Sequence, residues 1–297
     1  MANRRQFLKY GGAAAFAVTA PLPILVAEHK KLPTRPIPGT TESLPVIGMG
    51  NSNAFRAGDR EATWDVIRMF RRYGSRYIDC SGPSRFVVAD VVGAQGIGED
   101  VFLGTYFDLE RENAARDEAR RVLETTGKPA LDLLQAYPEI AVPQWQTFRR
   151  WKDEGLTRYV GVARHRKEYY ETMMDLMRTG TLDFVQVNYS LLEPEAEERL
   201  LPMARERGVA VTINRPFING EWFRLVRGRA LPPWAAEFDC DSWAQFSLKF
   251  ILAHPAVTCV LTETANPKHA VDNVGAGFGP LPDEKTRQRM RDFVRDL

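Results

Sequence analysis

The stretch YVGVARHRKEYYETMMDLMRTGTLDFVQVN (159–188) decides the architecture. YVGV (159–162) and FVQVN (184–188) are short runs rich in β-branched residues, bounded by polar ones, and read as strands. Between them Met173, Leu176 and Met177 recur at helical spacing until Gly180 ends the stripe. The methionines of that stripe are core residues rather than a cofactor box. Two strands joined through a helix lie parallel in one sheet.

The same unit recurs along the chain. Strand-like runs stand at VIGMG (46–50), RYID (76–79), VFLGTY (101–106), LDLLQAY (131–137), VAVTIN (209–214) and VTCVL (257–261). Amphipathic stretches separate them. Val66, Met69, Phe70 and Tyr73 form one stripe before Gly74, and Leu200, Met203 and Ala204 another before Gly208. Ala115, Ala119, Val122 and Leu123 form a third within RENAARDEARRVLE (111–124), whose charges read as a solvated helix face. Eight strand–helix units without a break in composition predict one closed (β/α)8 TIM barrel of parallel strands. The competing open sheet needs a Gly-rich phosphate turn after an early strand. GAQGIG (93–98) precedes a strand instead and gives it no support. The Pro-rich lead LPTRPIPGTTESLP (32–45) predicts an extended or hairpin segment.

The 297 residues are 44% hydrophobic and 26% charged, with a formal net charge of +2. Those figures are ordinary for a globular protein and give no support for nucleic acid as a partner. The start of the chain is set apart. Arg4-Arg5-Gln6-Phe7-Leu8-Lys9 precedes the uncharged stretch Tyr10–Ala27, a basic region followed by a mildly apolar one. That layout predicts residues 1–27 to be an export signal and 28–297 the barrel. The paired arginines resemble a twin-arginine signal, which implies the Tat export machinery as a partner and a periplasmic location. A membrane anchor is the alternative, but its glycines and Pro21 and Pro23 make a poor stable span. Cys80, Cys240 and Cys259 cannot all pair with one another, and Cys80 and Cys259 lie in strands as apolar fillers.

Function in a barrel sits at the C-terminal ends of the strands. That address selects Asn51, Asn53, Asp79, Tyr106, Tyr137, Ala163-Arg164-His165, Gln186, Asn188, Tyr189, Asn214-Arg215 and Thr262-Glu263-Thr264. With four histidines, no H-x-H pair and only His165 directly after a strand, no metal site is expected. His254, ahead of the eighth strand, reads as structural.

The order TRPIPGTTESLPVIGMGNS, RYIDCS, VFLGT, LDLLQ, WKDEGLTRYVGVA, DFVQVNYS, GVAVTINRPFINGEWF and NPKHAVDNVGAG resembles the aldo-keto reductase family from about residue 34 to about 280. The resemblance implies a monomer-capable barrel that reduces carbonyl compounds with NADPH. In the family a tyrosine hydroxyl protonates the nascent alkoxide, tuned by a lysine, an aspartate and a histidine. Asp79 matches the family aspartate. The tyrosine's place falls on Ser84 or Arg85, the lysine's on Tyr106 and the histidine's on Tyr137. Gln186 matches the glutamine that holds the nicotinamide amide, and Asp272 with Asn273 the adenine-side pair; Asn214 and Arg215 join them as cofactor contacts. Ala163-Arg164 replaces an expected Ser-Asn pair, Glu263 stands where a glycine or lysine borders the phosphates, and Ala265 replaces a basic residue. Thr264, Lys268 and His269 remain to compensate.

Three readings follow. The chain is a working NADP-dependent reductase with Tyr106 or Tyr137 as donor and Arg85, Arg164 or His165 as the cation. Or it is an exported barrel that has lost the chemistry and binds a ligand or partner. Or Asp79 serves as base in a non-redox reaction. In each, the partner is a small carbonyl compound or another small ligand.

Overall fold

The computed structural model describes residues 30–297, so the export signal expected over 1–27, and the first residues of the expected barrel, lie outside the described residues. A two-stranded hairpin leads, with β1 (Thr34–Pro36) antiparallel to β2 (Ser43–Pro45). The barrel then begins with β3 (Ile47–Met49), α1 (Asn53–Ala57), α2 (Arg60–Arg72), β4 (Tyr77–Cys80), α3 (Ser84–Ala94), β5 (Phe102–Tyr106) and α4 (Glu112–Thr126). It continues through β6 (Leu131–Ala136), α5 (Pro138–Asp153), β7 (Thr157–Arg164), α6 (Tyr170–Arg178), β8 (Phe184–Asn188), α7 (Leu200–Arg207) and β9 (Ala210–Asn214). A short α8 (Glu221–Leu225), α9 (Trp243–Leu252), β10 (Val257–Thr262), α10 (Pro267–Gly275) and α11 (Glu284–Arg295) complete it. Strands β3 to β10 pair in parallel, and β10 closes on β3. The expected (β/α)8 barrel and its hairpin lead are both present.

The strands are buried along almost their whole length because helices cover one face and the lumen fills the other. Outside the sheet, Val66, Ile67 and Phe70 of α2, Phe148 and Trp151 of α5, and Met173 and Met177 of α6 pack against it. Fully burying one such side chain stabilises by about 1.5–3 kcal/mol. Within the lumen Tyr77, Phe102, Leu133, Tyr159, Phe184, Cys259 and Leu261 form a separate layer, capped from below by Ile37 and Leu44 of the hairpin. Rings this large leave little space opposite. A Cβ on Gly104 would stand 2.9 Å from the Tyr77 hydroxyl, and one on Gly161 3.0 Å from Phe184 Cβ. The three cysteines are buried and unbridged. His254 is buried and accepts from the Ala256 amide at 3.2 Å, a structural contact.

Charges seal the hairpin end. Arg35 donates to the backbone carbonyls of Leu252 at 2.5 Å and of Val257. Glu42 accepts from Arg76 at 3.1 Å, from Arg158 and from the Tyr159 hydroxyl at 3.0 Å. The lumen therefore opens at its other end, where the C-terminal ends of the strands converge.

Candidate active site

Side chains alternate across a strand, so every second residue of each barrel strand faces the lumen. Above the aromatic layer this brings Asp79 of β4, Tyr106 of β5, Gln135 of β6 and Gln186 of β8 together. Gln135 Nε2 donates to Asp79 Oδ1 at 2.7 Å. The Tyr106 hydroxyl is 3.2 Å from Gln186 Oε1 and 3.5 Å from Asp79 Oδ2, and Gln186 Nε2 is 3.5 Å from the same Oδ2. The carboxyl is only 4% exposed. Its partners are amides and a phenol, and among the described residues no cation pairs with it. Burial, reinforced by the Glu263 charge, pushes Asp79 up to about 7 against the hydrogen bonds of Gln186, Tyr106 and Gln135. Burial and the Asp79, Tyr77 and Tyr137 oxygens hold the Tyr106 hydroxyl well above its ordinary range. It is therefore a neutral hydrogen-bond donor.

Asp79, Tyr106 and Gln186 floor a cavity of about 230 Å³, below the ~300–1,000 Å³ usual for drug-sized ligands. Its wall includes Asn51, whose amide donates to Ser81 Oγ at 2.8 Å, and Asn214 at the end of β9. The Oδ1 atoms of Asn51 and Asn214 and the Oε1 of Gln135 are buried without a donor. Tyr137 caps the start of α5 and forms the rim, its ring centroid 6.1 Å from that of Tyr106.

The expected cations are arranged otherwise. Arg85 turns away into the seam between α3 and α4, where it pairs with Glu118 and lies over the rings of Phe86 and Phe107. Ser84 is buried in the first turn of α3. Arg164 lies 4.5 Å from the Tyr137 ring centroid and 4.9 Å from that of Tyr169, and pairs with Glu139 at 2.5 Å. His165 is on the rim, its basicity lowered by burial and by Arg215, Arg164 and Arg166. None of the three contacts Tyr106 or Asp79 through a hydrogen bond. Asn188 and Tyr189 also serve the scaffold: Asn188 binds Glu193 and Tyr170, and Tyr189 binds Glu197 and Arg287.

A wider groove of about 760 Å³ continues from this cavity past Arg56, Phe217, Thr264, Asn266 and His269. Arg56, Arg215, Asn219 and Glu263 border both spaces. Glu263 does not face the groove alone: Arg56 reaches it at 3.3 Å while holding the Asn51 carbonyl and the Asn53 side chain. Gly50 makes room for this pose, because a Cβ there would lie 2.7 Å from Glu263 Cγ. Thr264 is engaged in its own turn, accepting from the Asn266 amide at 3.0 Å ahead of α10. Asp272 and Asn273 stand further along α10 and border neither space. Asp272 accepts from Gln245 at 2.9 Å and Asn273 is buried.

Among the described residues no cluster of three or more His, Cys, Asp or Glu side chains is arranged to hold a metal ion, and no helix is long and apolar enough to cross a membrane.

The sequence model of the Aldo/keto reductase family matches residues 46–290. The NADH-specific methylglyoxal reductase of Escherichia coli (strain K12) is 26% identical over 198 residues, 54% of this chain. The match spans 58% of that relative's length. An aldo/keto reductase from Klebsiella pneumoniae, solved with NADP and acetate, superposes with a TM-score of 0.68 at 19% identity, covering 90% of this chain and 96% of that one. The holo form of an aldo-keto reductase from Bacillus halodurans gives 0.67 at 19% identity, with 89% and 96% covered. Both likenesses are of fold.

Proposed function

The chain belongs to the aldo/keto reductase family, and from that membership we propose that it reduces small carbonyl compounds with NADPH or NADH, using Tyr106 as its proton donor. The observation that carries this reading is the Tyr106 hydroxyl, 3.2 Å from Gln186 and within reach of Asp79 at the floor of the cavity. The start of α3 offers no phenol, and the neighbouring strand supplies one to the same space. Tyr137 is the weaker alternative, because it is 38% exposed on the rim.

A nicotinamide nucleotide fits what the chain presents. The 760 Å³ groove has the room for the nucleotide, with Arg56 and Arg215 beside it. The donorless oxygens of Asn214 and Asn51 share the small cavity with Gln186 and suit the N–H groups of a carboxamide. Resemblance adds Thr264, which lines the groove, and also names Asp272 and Asn273, which border neither space. The bound cofactor would supply a hydride. Tyr106 then gives its proton to the carbonyl oxygen, and the Asp79 carboxyl positions the phenol. Among the described residues no cation hydrogen-bonds the Tyr106 hydroxyl, so Tyr106 is a reluctant acid and turnover should be slow.

The test is oxidation of NADPH and NADH by the purified protein with small aldehydes and ketones. Tyr106→Phe should lower kcat by about 10²–10⁴-fold, the usual worth of a general acid, while nucleotide affinity stays within a few-fold. Failure of both nucleotides to bind would overturn the proposal.

One observation favours the second reading, a ligand-binding barrel without turnover. The Glu263 carboxylate lies on the groove where like-charged phosphates would pass, and Arg56 is already committed to it. Tight binding of a small ligand in the absence of nucleotide binding would establish that reading.

A further inference from the structure

The rim of the small cavity carries three guanidinium groups, and they differ in what they hold. Arg164 is stacked between two rings and paired with Glu139. Arg56 is held by Glu263, Asn53 and a backbone carbonyl. Arg215 has no carboxylate within ion-pair distance among the described residues. Its Nε meets Asn219 Oδ1 at 3.3 Å, and its two terminal nitrogens have no acceptor among the described residues.

The segment carrying Arg215 is held in an unusual form. Arg215, Ile218 and Asn219 have φ of 47°, 46° and 52°, left-handed conformations that L-residues avoid, above all β-branched isoleucine. Contacts lock it there: Ser247 Oγ donates to the Pro216 carbonyl at 3.0 Å, and the Ile218 amide donates to the Arg215 carbonyl at 3.0 Å. A non-glycine backbone kept in this region by its surroundings fixes where Arg215 stands, at the junction of the cavity and the groove.

The surrounding charges leave this rim positive. Glu263 is neutralised by Arg56, Glu139 by Arg164, and Asp79 holds its proton over much of the range below neutrality. The basicity of His165 at the same rim is lowered by burial and then by the Arg215, Arg164 and Arg166 charges.

We propose that the cavity takes a small carbonyl compound bearing a carboxylate, which Arg215 binds at the rim while the carbonyl reaches Tyr106. The place of the carbonyl rests on the reductase reading; the carboxylate site rests on the rim alone. Arg suits this task because its planar fork meets a carboxylate through two parallel hydrogen bonds.

The experiment compares pyruvate with hydroxyacetone, its uncharged three-carbon analogue, by calorimetric titration of the full chain without nucleotide. Pyruvate should bind about 10–100-fold more tightly, the worth of a charge-assisted hydrogen bond, and its affinity should fall with added salt. Arg215→Gln should erase the preference and Arg215→Lys should keep part of it. Equal affinities in the unaltered protein would overturn the proposal without any variant having to fold. Titrations with NADPH and NADH form the second arm. If Arg215→Gln weakens nucleotide binding while the preference for pyruvate survives, Arg215 serves nucleotide phosphate and the proposal falls. Pyruvate bound at Arg215 but never reduced with either nucleotide would sustain the carboxylate site and defeat the reductase reading.

Discussion

Asp79 keeps its proton in a pH range where an ordinary aspartate, near 3.9, has lost it. Raising the pH from about 4 to about 7 strips the proton from the unfolded chain first, so the folded state loses stability across that window and levels off above it. The loss amounts to at most roughly 4 kcal/mol. Asp79→Asn removes the titration, and Gln135 can turn its donorless Oε1 toward the new amide. The variant should match the unaltered protein near pH 4 and exceed it in denaturant midpoint near pH 8. A stability difference that is the same at both pH values would refute the burial argument. Asp79 and Tyr106 are legible in the sequence because each ends a strand-like run, RYID (76–79) and VFLGTY (101–106). Gln135 is not singled out there, since it lies two residues inside the strand end where Tyr137 draws attention. The period of two that points Tyr137 inward also points Gln135 inward, and it was the available signal.

At the scale of elements, the barrel strands are easy to read because burial on both faces makes them continuous apolar runs, and glycines mark where helices stop. The loop from Arg215 to Asn219 is opaque for the opposite reason. Its left-handed residues are Arg, Ile and Asn, and only Asn219 is of a type that favours that conformation. Strand β5 shows how tightly the lumen and the site are joined. The Tyr77 ring is fully buried and packs edge-on against Phe102, with centroids 5.1 Å apart, so it cannot yield to a methyl group on Gly104. The methyl would also stand 3.0 Å from Gln135 Nε2, so β5 has to shift against both side chains, loosening the hold of Gln135 on Asp79. Gly104→Ala should therefore cost about 1–3 kcal/mol by overpacking, and it should also weaken ligand binding above a site that it never touches. Calorimetric melting and ligand titration on one variant check both effects. Full affinity in a destabilised variant would show that lumen and floor are uncoupled.

For the whole molecule, the hairpin is the element that makes the barrel one-ended. Burial alone would raise the Glu42 carboxyl, but Arg76, Arg158 and Tyr159 more than offset it and hold Glu42 below its usual range. Stability from this clasp is present above the ordinary carboxylate range and is lost as the pH falls through it. Glu42→Gln should cost about 1–3 kcal/mol near pH 7, with the deficit shrinking toward pH 4 in parallel chemical denaturations. A constant deficit would assign the effect to packing. The clasp and the Arg56–Glu263 pair are invisible in sequence for one reason: their partners, 116 and 207 positions apart for Arg158–Glu42 and Arg56–Glu263, meet only when the barrel closes. The chain enters the described structure on the sealed side, where the Leu32 amide donates to the Tyr73 carbonyl at 2.8 Å and Lys31 Nζ to the Arg72 carbonyl at 3.1 Å. Anything fused ahead of residue 30 therefore starts out on the far side of the molecule from the ligand entrance. A tag, a bead or a carrier attached there would hold the barrel by its base and leave the entrance turned outward to the medium.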